Sequence, residues 1–317
     1  MRLLFFILLI SAFTVEAQDK YPSKPIQIYS PQAPGATTDL VGRMYADKLA
    51  KFLGQSVIVN NRPGAGGMVA AQAVVKSAPD GYTLMVVNTQ HSMNPALFKD
   101  IPYDTVRDFS GVAMVGDAPA LVYATPSMGV RTLSEFLALA KQRPGEINYG
   151  SGGVGSATHL AGAYFANRAG VNLVHVPYKV ANDLIGDILT GRIQVTFSPV
   201  AFMLSQVREG KLLALAVTSR QRMSALPDVP TADEAGLPGF ESTTYYGFIA
   251  PAKTPRSVID QLSRALRTAS EEKDIQERYA QQGLVPKFLP PDEFDVFIKA
   301  DVERVKGLVK TIGAKVD

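Results

Sequence analysis

Apolar and polar positions change their spacing along this chain, and each change marks an element. Pro25-Ile26-Gln27-Ile28-Tyr29 alternates as a half-buried strand does and stops at Ser30-Pro31. Leu40, Met44, Leu49 and Leu53 recur at helical spacing, which predicts a helix to about Phe52 with Gly54 ending it. Thr37, Thr38 and Asp39 offer oxygens suited to its N-cap. Residues 56–60 read as a second strand and 61–67 as a glycine-rich loop, followed by an Ala/Val-rich helix to about Lys76. Pro79-Asp80-Gly81 is a turn, because proline presets φ and glycine accepts positive φ. Residues 82–88 form an apolar run suited to a buried strand. Strand, helix, strand, helix, strand predicts a largely parallel sheet covered by helices.

The pattern then restarts. Strands are expected at 121–124, 147–149, 174–176, 195–197 and 213–218. Helices are expected at 133–142 (capped by Thr132 or Ser134), about 156–169, 183–190 and near 203–209. A Pro/Gly-rich stretch covers 226–240, a strand 246–250, and two amphipathic helices about 256–271 and 291–312 close the chain. The acids and lysine of Glu271-Glu272-Lys273-Asp274 read as a solvated face. These are two α/β units with trailing helices. Periodicity leaves open whether the units lie in series or the chain leaves the first, builds the second and returns.

Composition narrows the class. The chain has 317 residues, 46% hydrophobic and 19% charged, which suits folded domains and a length of about two of them. Its 32 basic and 29 acidic residues leave a net charge of +3 with no long basic run, which argues against a nucleic-acid partner. Cysteine is absent, which excludes a disulfide scaffold, a lipid on an N-terminal cysteine, a thiolate nucleophile and cysteine-ligated metal. Met1-Arg2, the apolar run Leu3 to Val15 and the small residues of Val15-Glu16-Ala17 match a secretory signal peptide over 1–17. Export by a cleavable signal peptide is therefore expected. No later segment is apolar for long enough to span a membrane.

Two loops could carry chemistry. Tyr149-Gly150-Ser151-Gly152-Gly153-Val154-Gly155-Ser156-Ala157-Thr158-His159 follows a strand and opens a helix. Gly150, Gly152 and Gly155 satisfy G-x-G-x-x-G, yet the acid that a dinucleotide ribose needs about 20 residues on is missing. Glycines still admit close backbone approach, a helix N-terminus favours an anion, and Ser151, Ser156 and Thr158 add hydroxyls. A carboxylate would fit, as would a purely structural turn. Pro34 to Asp39 is a second loop of the same kind, so the two could clamp one small anion from opposite sides. Asp39 suits helix capping better than ligand contact, since carboxylates repel one another. His91, His159 and His175 lack zinc-ligand spacing, and Gly-x-Ser-x-Gly does not occur. His159 could reach a bound anion or serve as a structural imidazole. Tyr245, Tyr246 and Phe248 form an aromatic cluster where the chain would cross between units.

Together these segments resemble the Bug-type, tripartite tricarboxylate transporter family of periplasmic solute-binding proteins. The resemblance is carried, in order, by 34–39, Gly54-Gln55, 59–67, 78–84, 149–156, His159-Leu160, 175–179 and 250–255, and spans nearly all of the mature chain. It implies a type II periplasmic-binding-protein (Venus-flytrap) fold of two α/β domains with two crossovers. Domain one would comprise 25–124 plus 246–317, and domain two 125–245. It also implies a monomeric binding protein, without cofactor, metal or catalysis, that delivers a small carboxylate to membrane permease subunits. An aromatic-lined pocket would suit a dicarboxylate, including terephthalate. The implied ligand residues are Gly35, Ala36, Thr37, Thr38 and Asn88 on the first unit, with Tyr246. On the second they are Ser151, Gly155, Ser156, Thr158, His159, Val180, Asn182 and Asp183. The chain departs from the family at Ala36, Val180, Asn182, Asp183 and near Tyr246, all at the implied pocket. A secreted hydrolase or isomerase using His159 with Ser151 or Ser156, and a ligand sensor for a receptor kinase, are the alternative readings.

Overall fold

The computed structural model describes residues 21–179, 181–223 and 225–312; the expected signal peptide lies outside them, as does Val180. The first unit folds as its periodicity predicts. Strand β1 (Ile26–Ser30) leads into helix α1 (Thr37–Leu53), β2 (Val57–Asn61), α2 (Met68–Val75) and β3 (Thr83–Asn88). β1 lies between β2 and β3, parallel to both. Helix α3 (Thr89–Leu97) follows at once, in a segment whose polar sequence and internal Pro95 conceal it. Asn88 caps it by accepting a hydrogen bond from the Gln90 amide at 3.1 Å.

Strand β4 (Phe109–Ala124) corrects the sequence reading, which placed a strand only at 121–124. It is buried along nearly its whole length, so no alternation marks it. The second unit follows with α4 (Leu133–Gln142), β5 (Ile147–Ser151), α5 (Ala157–Ala169), β6 (Leu173–Pro177), α6 (Ala181–Leu189), β7 (Val195–Pro199), α7 (Val200–Arg208) and β8 (Leu213–Val217). The chain returns through β9 (Thr243–Pro251), then α8 (Arg256–Glu271), α9 (Lys273–Gln281), β10 (Val285–Leu289) and α10 (Pro291–Ile312).

The strand order is β2-β1-β3-β9-β4-β7-β5-β6, with β10 and β8 also on β4. The amino half of β4 pairs antiparallel with β9 and β10, and its carboxyl half with β7 and β8. β4 therefore carries the chain out of the first lobe, and the segment entering β9 brings it back. This is a two-lobed α/β fold with two crossovers, and the returning strand settles the order that periodicity left open.

Each sheet buries both faces. In the first lobe Tyr45, Phe248, Leu266 and Tyr279 fill one side, and Met85, Met114, Phe294 and Ile298 the other. In the second, Phe136, Tyr149, Phe165 and Phe197 oppose a layer with Tyr123, Ile188 and Met203. A further cluster of Met93, Leu97, Leu160, Val305 and Leu308 joins α3, α5 and α10, so the last helix bridges the lobes. Glu271-Glu272-Lys273-Asp274 lies at the surface, as its composition suggests, and two of its acids are paired. Lys48 of α1 pairs with Glu272 and, at 2.8 Å, with Asp274, pinning the start of α9 to the first lobe.

Candidate functional site

Strand direction decides where the two loops point. β1 and β3 run antiparallel to β9, and so does β4. β1 and β3 therefore run in the sense of β4, from the first lobe toward the second. β7 is antiparallel to β4, and β5 is parallel to β7, so β5 runs back toward the first lobe. The carboxyl ends of β1, β3 and β5 thus face one another across the cleft. Open α/β sheets take ligands at such ends.

The first-lobe loop is tied to itself. Gly35, at φ +83°, donates its amide to Asp39 Oδ2 at 2.9 Å. Asp39 also accepts from Arg43 Nε at 3.0 Å and Asn61 Nδ2 at 2.8 Å. Burial alone would raise this carboxyl, but those hydrogen bonds outweigh it and hold it below the usual carboxylate range. Asp39 therefore does not cap α1, contrary to the sequence expectation; nor do Thr37 and Thr38. The N-cap residue is Ala36, and among the described residues no side chain accepts from the first-turn amides. Thr38 is wholly buried and donates to Gln32 Oε1 at 2.7 Å. The Thr37 hydroxyl meets that of Tyr246, whose ring sits in the first-lobe core.

The second-lobe loop is built around its histidines. Ser156 caps α5, accepting from the His159 amide at 3.2 Å and donating to the Gly153 carbonyl at 2.8 Å. Thr158 Oγ1 accepts from the Gly152 amide at 2.9 Å. The Gly155 amide, at φ +77°, donates to His159 Nδ1 at 3.1 Å, which puts that ring's proton on Nε2. His159 stacks on His175 with centroids 3.9 Å apart, and His175 on Tyr149 at 4.9 Å. Burial lowers both imidazoles, His175 to about 4 with His159 adding to the effect, so both are neutral at neutral pH. Gly150, the first glycine of the dinucleotide-like motif, serves packing: a Cβ there would lie 2.1 Å from Leu184.

The serine–histidine contact differs from that of the hydrolase reading. Ser151 Oγ lies 2.6 Å from His175 Nε2, not beside His159. Ser151 is wholly buried and also accepts from the Gly153 amide at 3.1 Å, while Ser156 is spent on its cap. Among the described residues no three His, Cys, Asp or Glu side chains gather as a metal site.

Two concavities flank these loops. One in the first lobe, about 430 Å³, is lined by Ala36, Gly66, Met85, Asn88, His91 and Asn94, among others. One in the second, about 280 Å³, is lined by Ser151, Thr158, Tyr178, Lys179, Ser198 and Phe202, among others. A smaller cavity of about 60 Å³ is lined from both lobes, by Thr89 and Met93 on one side and Thr158 and Leu160 on the other. Asn182 and Asp183 open α6, exposed and outside these linings; Tyr246 contributes only through its contact with Thr37. His91, Gln90, Lys179 and Phe202 were not expected there. Only Lys179 carried a signal in the sequence, as part of a segment matching the family.

Similarity to known proteins agrees with this geometry. The profile described as "Tripartite tricarboxylate transporter family receptor" matches residues 41–314. Protein BugT of Bordetella pertussis is 36% identical over 299 residues, covering 94% of this chain and 92% of that protein. A TctC solute-binding protein from Polaromonas, solved without ligand, superposes with a TM-score of 0.82 at 30% identity, covering 92% of this chain and 99% of the other. Rpa4515 of R. palustris, solved with adipate, superposes at 0.78 with 29% identity, covering 93% and 100%. The opposed strand ends, the two loops and these matches agree that the chain belongs to the tripartite tricarboxylate transporter receptor family, the Bug-type solute-binding proteins of the periplasm.

Proposed function

We propose that this protein captures a small carboxylate between its lobes and hands it to the permease subunits of a tripartite transporter in the periplasm. A dicarboxylate is the favoured ligand, with aromatic examples such as terephthalate included. One observation carries the reading. The helices α1 and α5 begin at facing strand ends; among the described residues no side chain accepts from the first-turn amides of α1, and in α5 Ser156 takes the amide of the third residue, His159. Each helix start offers partial positive charge, worth about 0.3–1 kcal/mol to an anion and up to about 2 where partly buried. Two such ends closing on one carboxylate favour the closed state by their summed differential contact. The adipate in Rpa4515 supports the ligand class.

In this reading Gly35, Ala36, Thr37, Thr38 and Asn88 act from the first lobe. Ser151, Gly155, Ser156, Thr158 and His159 act from the second, with Val180, Asn182 and Asp183 at its rim. Tyr246 positions Thr37. Domain one comprises 25–124 plus 246–317 and domain two 125–245, acting as a monomer. The ligand is returned unaltered in this reading, as suits a solute-binding receptor.

Thermal melting with a panel of mono-, di- and tricarboxylates tests this. A ligand that binds only the folded state raises the midpoint, by about 2.7 kcal/mol of stability at a hundredfold excess over Kd. No shift with any member, or chemical conversion of a ligand that binds, would sink the reading.

A further inference from the structure

The two concavities differ in charge, and this bears on where a second acid group would go. The first-lobe concavity has no charged side chain among its lining residues. Its polar groups are committed or neutral. Gln90 Nε2 donates to Asn94 Oδ1 at 2.8 Å, and Asn94 Nδ2 donates to the Gly66 carbonyl at 3.1 Å. His91 lines it as well, and burial holds that imidazole near 4, so it brings no positive charge. The α1 start offers its partial charge to one acid group only, and a second carboxylate placed deeper in this concavity would have no cation beside it, which is disfavoured.

The second-lobe concavity holds one cation, Lys179, at the end of the segment that follows β6. The other polar groups of that wall are already engaged. The Tyr178 hydroxyl donates to Asp187 Oδ2 at 2.7 Å, and Asp187 has its own cation in Arg192 at 3.2 Å. Ser198 Oγ lies 3.0 Å from Thr196 Oγ1, and Ser151 is held by His175. The Lys179 ammonium has no acceptor among the described residues. Beside it, Tyr178, Leu184 and Phe202 supply apolar surface for a carbon chain or ring. Thr158, in the first turn of α5, lines this concavity and also the small cavity lined from both lobes, so the α5 start borders both spaces.

We infer that Lys179 is a specificity residue that reads the second acid group of a dicarboxylate, in the second lobe, while the first acid group is held at the helix starts. This rests on the carboxylate-binding reading and gives the ligand a direction: its remote end enters domain two, not domain one. A lysine suits this role because its ammonium is a compact charge on a flexible stem that can follow chains of different length.

Matched ligand pairs test it by titration calorimetry on the mature protein. Succinate, adipate and terephthalate are each compared with their own monoamide, which keeps size and one acid group but removes the second charge. The wild-type protein should bind at least one dicarboxylate about tenfold more tightly than its monoamide. Lys179→Gln should erase that preference by weakening the dicarboxylate alone, and Lys179→Arg should restore part of it. An unchanged preference in Lys179→Gln, or no preference in the wild type, overturns the assignment while leaving carboxylate binding intact. If preference is lost in His91→Phe instead, the second acid group lies in the first lobe and the inference is wrong. Failure of every acid and every monoamide to bind is a different result, which removes the carboxylate reading and this one with it.

Discussion

Thr218 holds Ala120 through both its backbone and its side chain across the junction of the lobes: the Thr218 amide donates to the Ala120 carbonyl at 2.9 Å, the Ala120 amide donates to Thr218 Oγ1 at 2.9 Å, and Thr218 Oγ1 lies 3.1 Å from the Ala120 carbonyl oxygen. Ala120 lies where β4 exchanges β9 for β7 as its partner. The Thr218 carbonyl also accepts from the Ser242 amide at 3.0 Å, just before β9. One buried threonine thus ties the outgoing crossover to the returning one.

Thr218→Val keeps the shape and removes the hydroxyl, leaving the Ala120 amide unpaired in the interior. The expected loss is about 1–3 kcal/mol in denaturant unfolding, with Thr218→Ser close to wild type. Equal losses in both variants would assign the effect to the methyl group instead.

His91 predicts acid sensitivity. It is buried between Tyr103 and Phe109, and neither ring nitrogen has a hydrogen-bond partner among the described residues. Burial lowers it from 6.5 to about 4. The unfolded chain therefore takes up this proton first as pH falls below 6.5, and stability drops until the folded ring protonates near pH 4. The contribution above pH 6.5 that is lost across this window is about 3 kcal/mol. Unfolding measured from pH 7 to pH 4 should show a smaller fall in His91→Phe. An identical fall would place the titration elsewhere.

Ser156 separates folding from binding. Ser156→Ala removes the α5 cap and should cost about 1 kcal/mol of stability. A bulky Ser156→Phe places a ring at the mouth of the second-lobe loop. It should abolish carboxylate binding while far-ultraviolet circular dichroism stays native. Unchanged affinity in Ser156→Phe would remove this loop from the site.

Gly155→Ala tests the backbone itself. At φ +77° a Cβ costs about 1–2 kcal/mol, and relief of that strain would withdraw the amide that holds His159 Nδ1. Reduced ligand affinity beyond the loss in melting temperature is expected. A variant that melts early yet binds as the wild type does would show that His159 needs no such anchor.

Much of this fold is legible in local pattern. Helices α4, α8 and α10 begin and end where apolar spacing places them, and Thr132 closes a capping box with Glu135 at the start of α4. Ser134, the other candidate cap, donates to the Ala235 carbonyl instead. The two glycine-bearing loops at strand ends were visible for the same reason, since turn chemistry is written in adjacent residues. α9 and β10 were not: α9 buries only Ile275 and Tyr279, and β10 is a short strand with Pro286 inside it.

Residues distant in sequence account for the rest. Thr37, Thr38 and Asp39 were equally good caps for α1 on composition, but Asn61 and Arg43 draw Asp39 back toward Gly35 and leave the helix start bare. Ser151 was read beside His159, eight residues on, yet parallel pairing of β5 with β6 brings it His175. The length of β4 was hidden because burial on both faces erases the alternation by which a strand is recognised. Amino-acid spacing therefore specifies where elements start, which face is apolar and where the backbone can bend. Which polar group meets which, and whether a helix start is left open to an anion, follows only when strands far apart in the chain are brought side by side.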